Sequence, residues 1–492
     1  MIFTSFNFLV FAFVVISIFF IVPFKVRWVI LLCASYFFYM YAKPAYGLLL
    51  LYSTVVSYVA GFLISSASCE SKKKLYLYAG LLLNLSSLIF FKYVGFLGNS
   101  INYTLGVFGS DYMVSVLSVA LPVGISFFVF QTMSYDIEVY RGTIKHEKHF
   151  GIYSLFASFF PTLLAGPIER AGNLLPQFKI EHKFNIERVL DGLKLILWGL
   201  FKKLVVADRL VPMVNYVYDN PTSYTGIPLI LATVLFAFQI YCDFSAYSDI
   251  AIGVAKIMGF NLMDNFKRPY FSKSIPEFWR RWHISLSSWL KDYIYIPLGG
   301  SRVVKWRWYY NLFITFFISG LWHGAAWTFV IWGALHGVYM IMSNVTAGAR
   351  SKIVKILRIE RLPFLYKIFR VVVTFSLVCF AWIFFRAGSV GDAFYIVKNL
   401  FVGGLGQMRL ILTDSVARGS LLFLGQTKIF FLITVFSVLF MEFVHLIQRH
   451  GSIRSMLKKR SLSLKFAVYF FLIFSTILFS YSETYQFIYF QF

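Results

Sequence analysis

The sequence predicts an all-α polytopic membrane protein, on three observations. Hydrophobic residues make up 59% and charged residues 14% of the 492-residue chain, against about 45–50% and about 25% in an average soluble protein. Mean hydropathy is +0.72. Apolar windows close to the roughly 20 residues that a spanning helix needs recur along the chain, with basic runs between them. Such a chain has too little polar surface to cover itself in water, which excludes a disordered protein, a secreted disulfide scaffold and a cytosolic enzyme. Cys33, Cys69, Cys242 and Cys379 sit singly with no CxxC spacing, so neither a disulfide framework nor a metal site is expected. The 46 basic and 21 acidic residues leave a net charge of +25, which on a soluble protein would point to nucleic acid. Here the basic residues fall in short runs such as 72–74, 350–361 and 449–465. They read as cytoplasmic anchors against anionic lipid. Membrane lipid is the expected partner, and nucleic acid is not.

Taken in order, residues 1–24 form the first predicted span. They lack the basic start and small-residue cleavage site of a signal peptide, so the helix is retained. Further spans are expected at 28–42, 45–65, 75–91, 113–133, 150–167, 189–207 and 227–257. The second half adds 308–343 as a pair, 371–385, 429–446 and 466–482. The weakest is 189–207, which carries Asp191, Lys194, Lys202 and Lys203. Lys25 and Arg27 after the first span place the N-terminus outside. Segment 150–167 must dip and return, because 141–148 and 170–183 are both basic, and Ala165-Gly166-Pro167 would break a helix there. About twelve crossings and one re-entrant segment result, with both termini outside. No internal repeat or matched pair of broken helices is evident, which counts against an inverted-repeat transporter.

Ionisable groups at bilayer depth are functional candidates by default. His323 lies in Ile318-Ser-Gly-Leu-Trp-His-Gly-Ala-Ala-Trp-Thr-Phe329, within a stretch, 308–349, that has no Asp, Glu, Lys or Arg and only one other histidine, His336. Gly320, Gly324, Ala325 and Ala326 would let a helix or an elongated ligand approach closely. A core histidine held by a hydrogen bond is the competing reading. On one continuous helix His336 would lie about 220° round and about 20 Å along from His323, which suits a structural or near-surface residue. Ser274 and Glu277 form a possible capping box with Pro276 in the first turn. Trp279, Trp282, His283, Leu286 and Trp289 then recur as one helical stripe, while Arg280, Arg281 and Lys291 point elsewhere. Alone, that segment reads as an interfacial amphipathic helix. Asp243 and Asp249 are about 240° apart on a helix and make no obvious carboxylate pair. Asp243 and Tyr247, at i and i+4, can share a face and a hydrogen bond, in a structural or histidine-orienting role. No HExxH, GxSxG, P-loop or GxGxxG context occurs.

Four ordered blocks carry a resemblance: FPTLLAGPI at 160–168, QIYCDFSAYSD at 239–249, FWRRWH at 278–283 running on to YIPLGGSR at 295–302, and SGLWHGAAW at 319–327. They resemble the signatures of the membrane-bound O-acyltransferase family, in particular its bacterial branch of alginate O-acetylation membrane proteins and related polysaccharide O-acetyltransferases. The resemblance implies one domain, 1–492, with a central tunnel: N-terminal helices 1–135, a catalytic core at about 150–345 and C-terminal helices 367–492. It implies a donor entering from the cytoplasm, acetyl-CoA, with no bound cofactor, and an acceptor reached from the other face, with His323 where they meet. A neutral imidazole, of unperturbed pKa about 6.5, can take a proton from an attacking hydroxyl. His283 looks like the family's second active-site position, orienting the acyl group or hydrogen-bonding a developing oxyanion, with Trp279, Trp282 and Trp322 in support. Arg280, Arg281 and Lys267 lie where coenzyme A phosphates could dock, or where lipid anchors would sit.

The last residues, Phe487-Ile-Tyr-Phe-Gln-Phe492, are expected outside in the interfacial belt. They also look like a tyrosine-containing tail found in this branch and in small partners of D-alanyl transfer systems, which makes Tyr489 a candidate acyl relay. The resemblance further implies a bacterial inner-membrane location, an exported polysaccharide acceptor and a periplasmic SGNH-like acetyltransferase partner. D-alanyl transfer to teichoic acid and peptidoglycan O-acetylation are alternatives within the same chemistry. A lipid-linked glycan flippase or exporter is the alternative of another class.

Overall fold

The computed structural model describes residues 1–116, 122–481, 483 and 485–490. Among them, every regular element is helical. Among the described residues, seven helices are long and apolar enough to cross a membrane: Tyr46–Ser66, Glu70–Val107, Ile227–Met258, Trp327–Val345, Pro363–Arg386, Lys428–His450 and Leu462–Phe479. Other predicted spans are shorter or interrupted. Phe6–Ile21 has 16 residues and Phe24–Met40 has 17. The predicted span 113–133 lies partly outside the described residues, and the helix found there is Ile125–Tyr140. Segment 150–167 breaks earlier than its Ala-Gly-Pro motif suggests. The helix Phe150–Ser158 stops at Phe159, and a single turn, Phe160–Leu163, follows.

The chain divides into two compact units. The first comprises Met1–Ile196 and Ile250–Asp264. A buried polar ladder ties three of its helices together. Ser53 Oγ donates to Asn84 Oδ1 at 2.6 Å, Asn84 Nδ2 donates to Ser57 Oγ at 3.0 Å, and Ser57 Oγ donates to Asp136 Oδ2 at 3.0 Å. In lipid a polar group without a partner is costly, so such a ladder fixes helix register. Gly192 and Gly253 meet where two helices cross. A Cβ on Gly192 would lie 2.7 Å from the Gly253 carbonyl oxygen, so only glycine permits that approach.

The second unit comprises Leu197–Asp249 and Asn265–Phe492. Its central feature is the hairpin of Lys305–His323 and Trp327–Val345, the pair expected at 308–343. The first helix ends because Gly324 is extended, at φ −157° and ψ 149°. The two helices then pack backbone to backbone at Gly320 and Gly333, where a Cβ on Gly320 would come within 3.0 Å of the Gly333 Cα. The segment read as span 189–207 ends in a π-helical turn, Phe201–Ala207, which runs into Asp208–Tyr218. That turn carries Lys202 and Lys203 into the interior. After the helix Leu462–Phe479 the chain is led back over the same turn. Tyr481 N donates to Leu204 O at 3.1 Å, and Arg209 Nη2 donates to Phe479 O at 2.7 Å.

Candidate active site

His323 is the last residue of its helix and is 3% exposed. Aromatic rings surround it: Trp322 and Trp332 have ring centroids 4.9 Å away and Phe385 5.4 Å. The His283 ring lies 6.4 Å from that of His323 and the Tyr489 ring 5.6 Å from it. Three groups far apart in the sequence therefore share one buried place.

His283 reaches this place by a route that helical spacing does not suggest. The predicted amphipathic helix is in fact two short ones, Ile275–Trp279 and Ile284–Leu290. The first begins as expected, with Ser274 Oγ accepting from Glu277 N at 3.3 Å, while the Glu277 carboxylate accepts from Lys273 N. His283 sits at the break, in the left-handed region at φ 42° and ψ 56°. That conformation costs an ordinary residue on the order of 1–2 kcal/mol. Buried Asn265 holds it in place. Asn265 O accepts from Ile284 N at 2.9 Å, its Oδ1 accepts from Ser285 N at 3.2 Å, and its Nδ2 donates to Ser248 Oγ at 3.0 Å. The left-handed turn takes the imidazole off the tryptophan stripe and points it toward His323. Burial lowers the His283 pKa and keeps the ring neutral. Replacing Asn265 with alanine should release this turn. We expect a loss of about 1–3 kcal/mol in stability, readable as a lower unfolding midpoint of the detergent-solubilised protein. An unchanged midpoint would show that the turn needs no clamp.

The aromatic tail does not lie loosely beyond the last helix. Phe487 is fully buried and its ring is 4.4 Å from that of Tyr247. The Tyr489 ring is 4.6 Å from Phe244, whose other neighbour at 4.6 Å is His283. The Tyr489 phenol oxygen is buried although the residue keeps some exposure, and burial raises its pKa. Gln491 and Phe492 lie outside the described residues. Behind the tail is an ion triad that sequence reasoning passed over. Lys203 Nζ is 2.8 Å from both Asp208 Oδ1 and Asp243 Oδ1. Exposure is 1% for Lys203, 1% for Asp208 and 3% for Asp243. Asp243 also accepts from Ile488 N at 2.8 Å, so its partners are a lysine and the tail backbone. Beside the triad, Lys202 pairs with Asp249 at 2.7 Å and donates to Ser245 at 2.7 Å. The available signal was the placing of Lys202, Lys203 and Asp208 close together in an apolar segment, where each charge needs a partner.

The other candidates take different places. His336 is buried and accepts from Trp279 Nε1 at 3.2 Å, a packed and hydrogen-bonded position. Trp282 is fully buried, its ring 5.1 Å from that of Trp382. Trp322 lies 5.9 Å from His283 and so flanks both imidazoles. Arg280 and Lys267 are exposed, while Arg281 is half-buried and paired with Glu277 at 2.6 Å. Lys267 N donates to Arg281 O at 2.9 Å, which puts these basic residues along one edge.

A family model described as the membrane-bound O-acyltransferase family matches residues 145–385, which include both site histidines. The chain is 37% identical over 390 residues to the protein named "Probable alginate O-acetylase AlgI" in Azotobacter vinelandii, covering 79% of this chain and 75% of that one. It is 36% identical over 399 residues to the peptidoglycan O-acetyltransferase of Helicobacter pylori, covering 76% and 73%. It is 31% identical over 283 residues to the teichoic acid D-alanyltransferase of Bacillus subtilis, covering 53% and 68%.

Proposed function

This chain belongs to the membrane-bound O-acyltransferase family, and from that premise we propose that it passes acetyl from cytosolic acetyl-CoA to a hydroxyl of an exported polysaccharide. Membrane O-acetyltransferase activity toward polysaccharide follows from its relatives. Donor, direction and residue roles are our reading. The observation that carries it is the meeting of His323, His283 and the Tyr489 phenol within ring separations of 5.6 and 6.4 Å.

In this reading the Tyr489 phenol oxygen attacks the thioester carbonyl. The phenolic proton passes to the His323 imidazole, the carbon–sulfur bond breaks, and the thiolate leaves with that proton. His283, neutral because it is buried, donates a ring N–H to the developing oxyanion. The product is a tyrosyl acetate and a free thiol. A serine hydroxyl of the periplasmic SGNH-like partner then attacks the tyrosyl ester, the carbon–oxygen bond breaks, the phenol regains the hydroxyl proton, and the partner passes the acetyl on to a sugar hydroxyl. Leaving-group basicity sets the direction, because a thiol has a pKa of about 8.5, a phenol about 10 and an alcohol near that of water, about 15.7. Each transfer places acetyl on a more basic oxygen and runs downhill. Arg280, Arg281 and Lys267 would face the coenzyme A phosphates. We place the protein in a bacterial inner membrane with both termini outside, handing acetyl to a periplasmic SGNH-like acetyltransferase.

Alginate is one acceptor in view. Peptidoglycan is the second, since the Helicobacter pylori protein matches this chain over a similar length. D-alanyl transfer is favoured less, because that likeness covers about half of the chain. Proteoliposomes supplied on one face with labelled acetyl-CoA or with a D-alanyl carrier protein test the reading. Label should appear on Tyr489 by peptide mass spectrometry with acetyl-CoA alone, and Tyr489→Phe should lose transfer at least about a hundredfold. Full activity of Tyr489→Phe would remove the relay, and label from the D-alanyl carrier would change the donor. A flippase would take up no label.

A further inference from the structure

We propose that Asp243, held in place by Lys203, is the positioning residue that seats the C-terminal tail in the active site through the backbone N–H of Ile488. The inference rests on the reading of Tyr489 as the relay, since it explains how a residue outside every long helix is held against His323. Residues 485–490 carry only the short turn Ile488–Phe490, so a nucleophile placed there needs an anchor.

The anchor is built from charge. Asp243 Oδ1 is engaged by Lys203 Nζ at 2.8 Å, which leaves Oδ2 to accept from Ile488 N at 2.8 Å. A hydrogen bond to an ionised acceptor is stronger than one between neutral groups, and more so away from water. Asp208, on the other side of Lys203 at 2.8 Å, completes the triad and fixes the lysine between two carboxylates. The tail side chains on either side of the anchored amide then take defined places. Phe487 inserts fully beside Tyr247, and Tyr489 lies against Phe244 and His323. The ammonium of Lys203 is 5.7 Å from the Tyr247 ring, so the floor under Phe487 is itself held by the triad. Because the bond runs to a backbone amide, the seat sets tail depth without reading a side chain. Specificity for an aromatic comes from the pocket around Phe487.

Hydrogen–deuterium exchange of the tail amides in the full-length protein, in nanodiscs and without donor or acceptor, tests this directly. Ile488→Pro removes the donor N–H and leaves the buried triad untouched. Ile488 opens a 3₁₀ turn, Ile488–Phe490, where a proline is tolerated. We expect Tyr489 and Phe490 amides to exchange about tenfold faster or more in Ile488→Pro and in Asp243→Ala. Asp243→Asn, which keeps an acceptor oxygen, should recover part of the protection. Transfer should fall in parallel through kcat, with the KM for the thioester unchanged, because the tail is placed and not the donor. Wild-type exchange rates in Ile488→Pro would overturn the proposal, whether or not Asp243→Ala folds. The exchange readout needs no reaction. Faster exchange with transfer intact would therefore retain the seat and dismiss the relay, while slow exchange with transfer lost would do the reverse.

Discussion

His323→Ala should lose polymer acetylation by on the order of 10²–10⁴-fold, the range a positioned general base contributes, while the protein still accumulates in the membrane. The imidazole sits among the rings of Trp322, Trp332 and Phe385, so its removal takes away a proton acceptor and a modest packing volume. His323→Gln separates the two effects. Glutamine keeps a polar side chain of similar reach but cannot accept and return a proton near neutral pH, so its loss should match that of alanine. Ester-bound acetyl on the exported polymer, normalised to polymer yield, is the measurement. Normal acetylation in either variant would end the catalytic assignment. Loss of the polymer itself would instead favour a transport role, because an acetyltransferase variant still exports an unmodified chain.

Lys203→Met is expected to be the most damaging single change to the stability of the second unit. It removes the cation held between Asp208 and Asp243, each within 2.8 Å of it and each nearly fully buried. Breaking a buried pair by removing one partner typically costs about 3–5 kcal/mol, because the remaining charge has lost its compensation. Here two carboxylates are left. A fall in the thermal unfolding midpoint on the order of 10 °C should follow, read by tryptophan fluorescence in detergent. Adding Asp208→Asn and Asp243→Asn should recover part of that stability, since the triple variant buries no net charge. If Lys203→Met unfolds like the parent protein, the triad is not the buried, mutually dependent unit its geometry indicates.

Composition and patterning reached the membrane and the helical class, and four local blocks carried the resemblance to the family. They did so because the hydrophobic window, the basic flank and the glycine-flanked histidine are local features, each visible within the length of a single helix. His323 belongs to this group: a single ionisable side chain in a long uncharged run is conspicuous without any knowledge of folding. His283 was visible as a residue but not in its place. Helical periodicity assumes continuous right-handed backbone, and the left-handed turn at 283 depends on hydrogen bonds that Asn265, which stands ahead of both short helices, accepts from Ile284 and Ser285.

The triad and the seating of the tail were beyond that reach for a stronger reason. Lys203 and Asp243 belong to different helices, and Ile488 lies near the far end of the chain from both. Whether a lysine meets the carboxylates that compensate it depends on which helices pack together, and local spacing carries no record of it. The expectation that aromatic residues after the last helix rest at the lipid surface follows from their polarity alone. A buried carboxylate with one oxygen turned toward a backbone amide outweighs that preference. The residue types of the candidate site were thus written locally, whereas their meeting came from packing, which alone brings distant side chains within hydrogen-bonding distance.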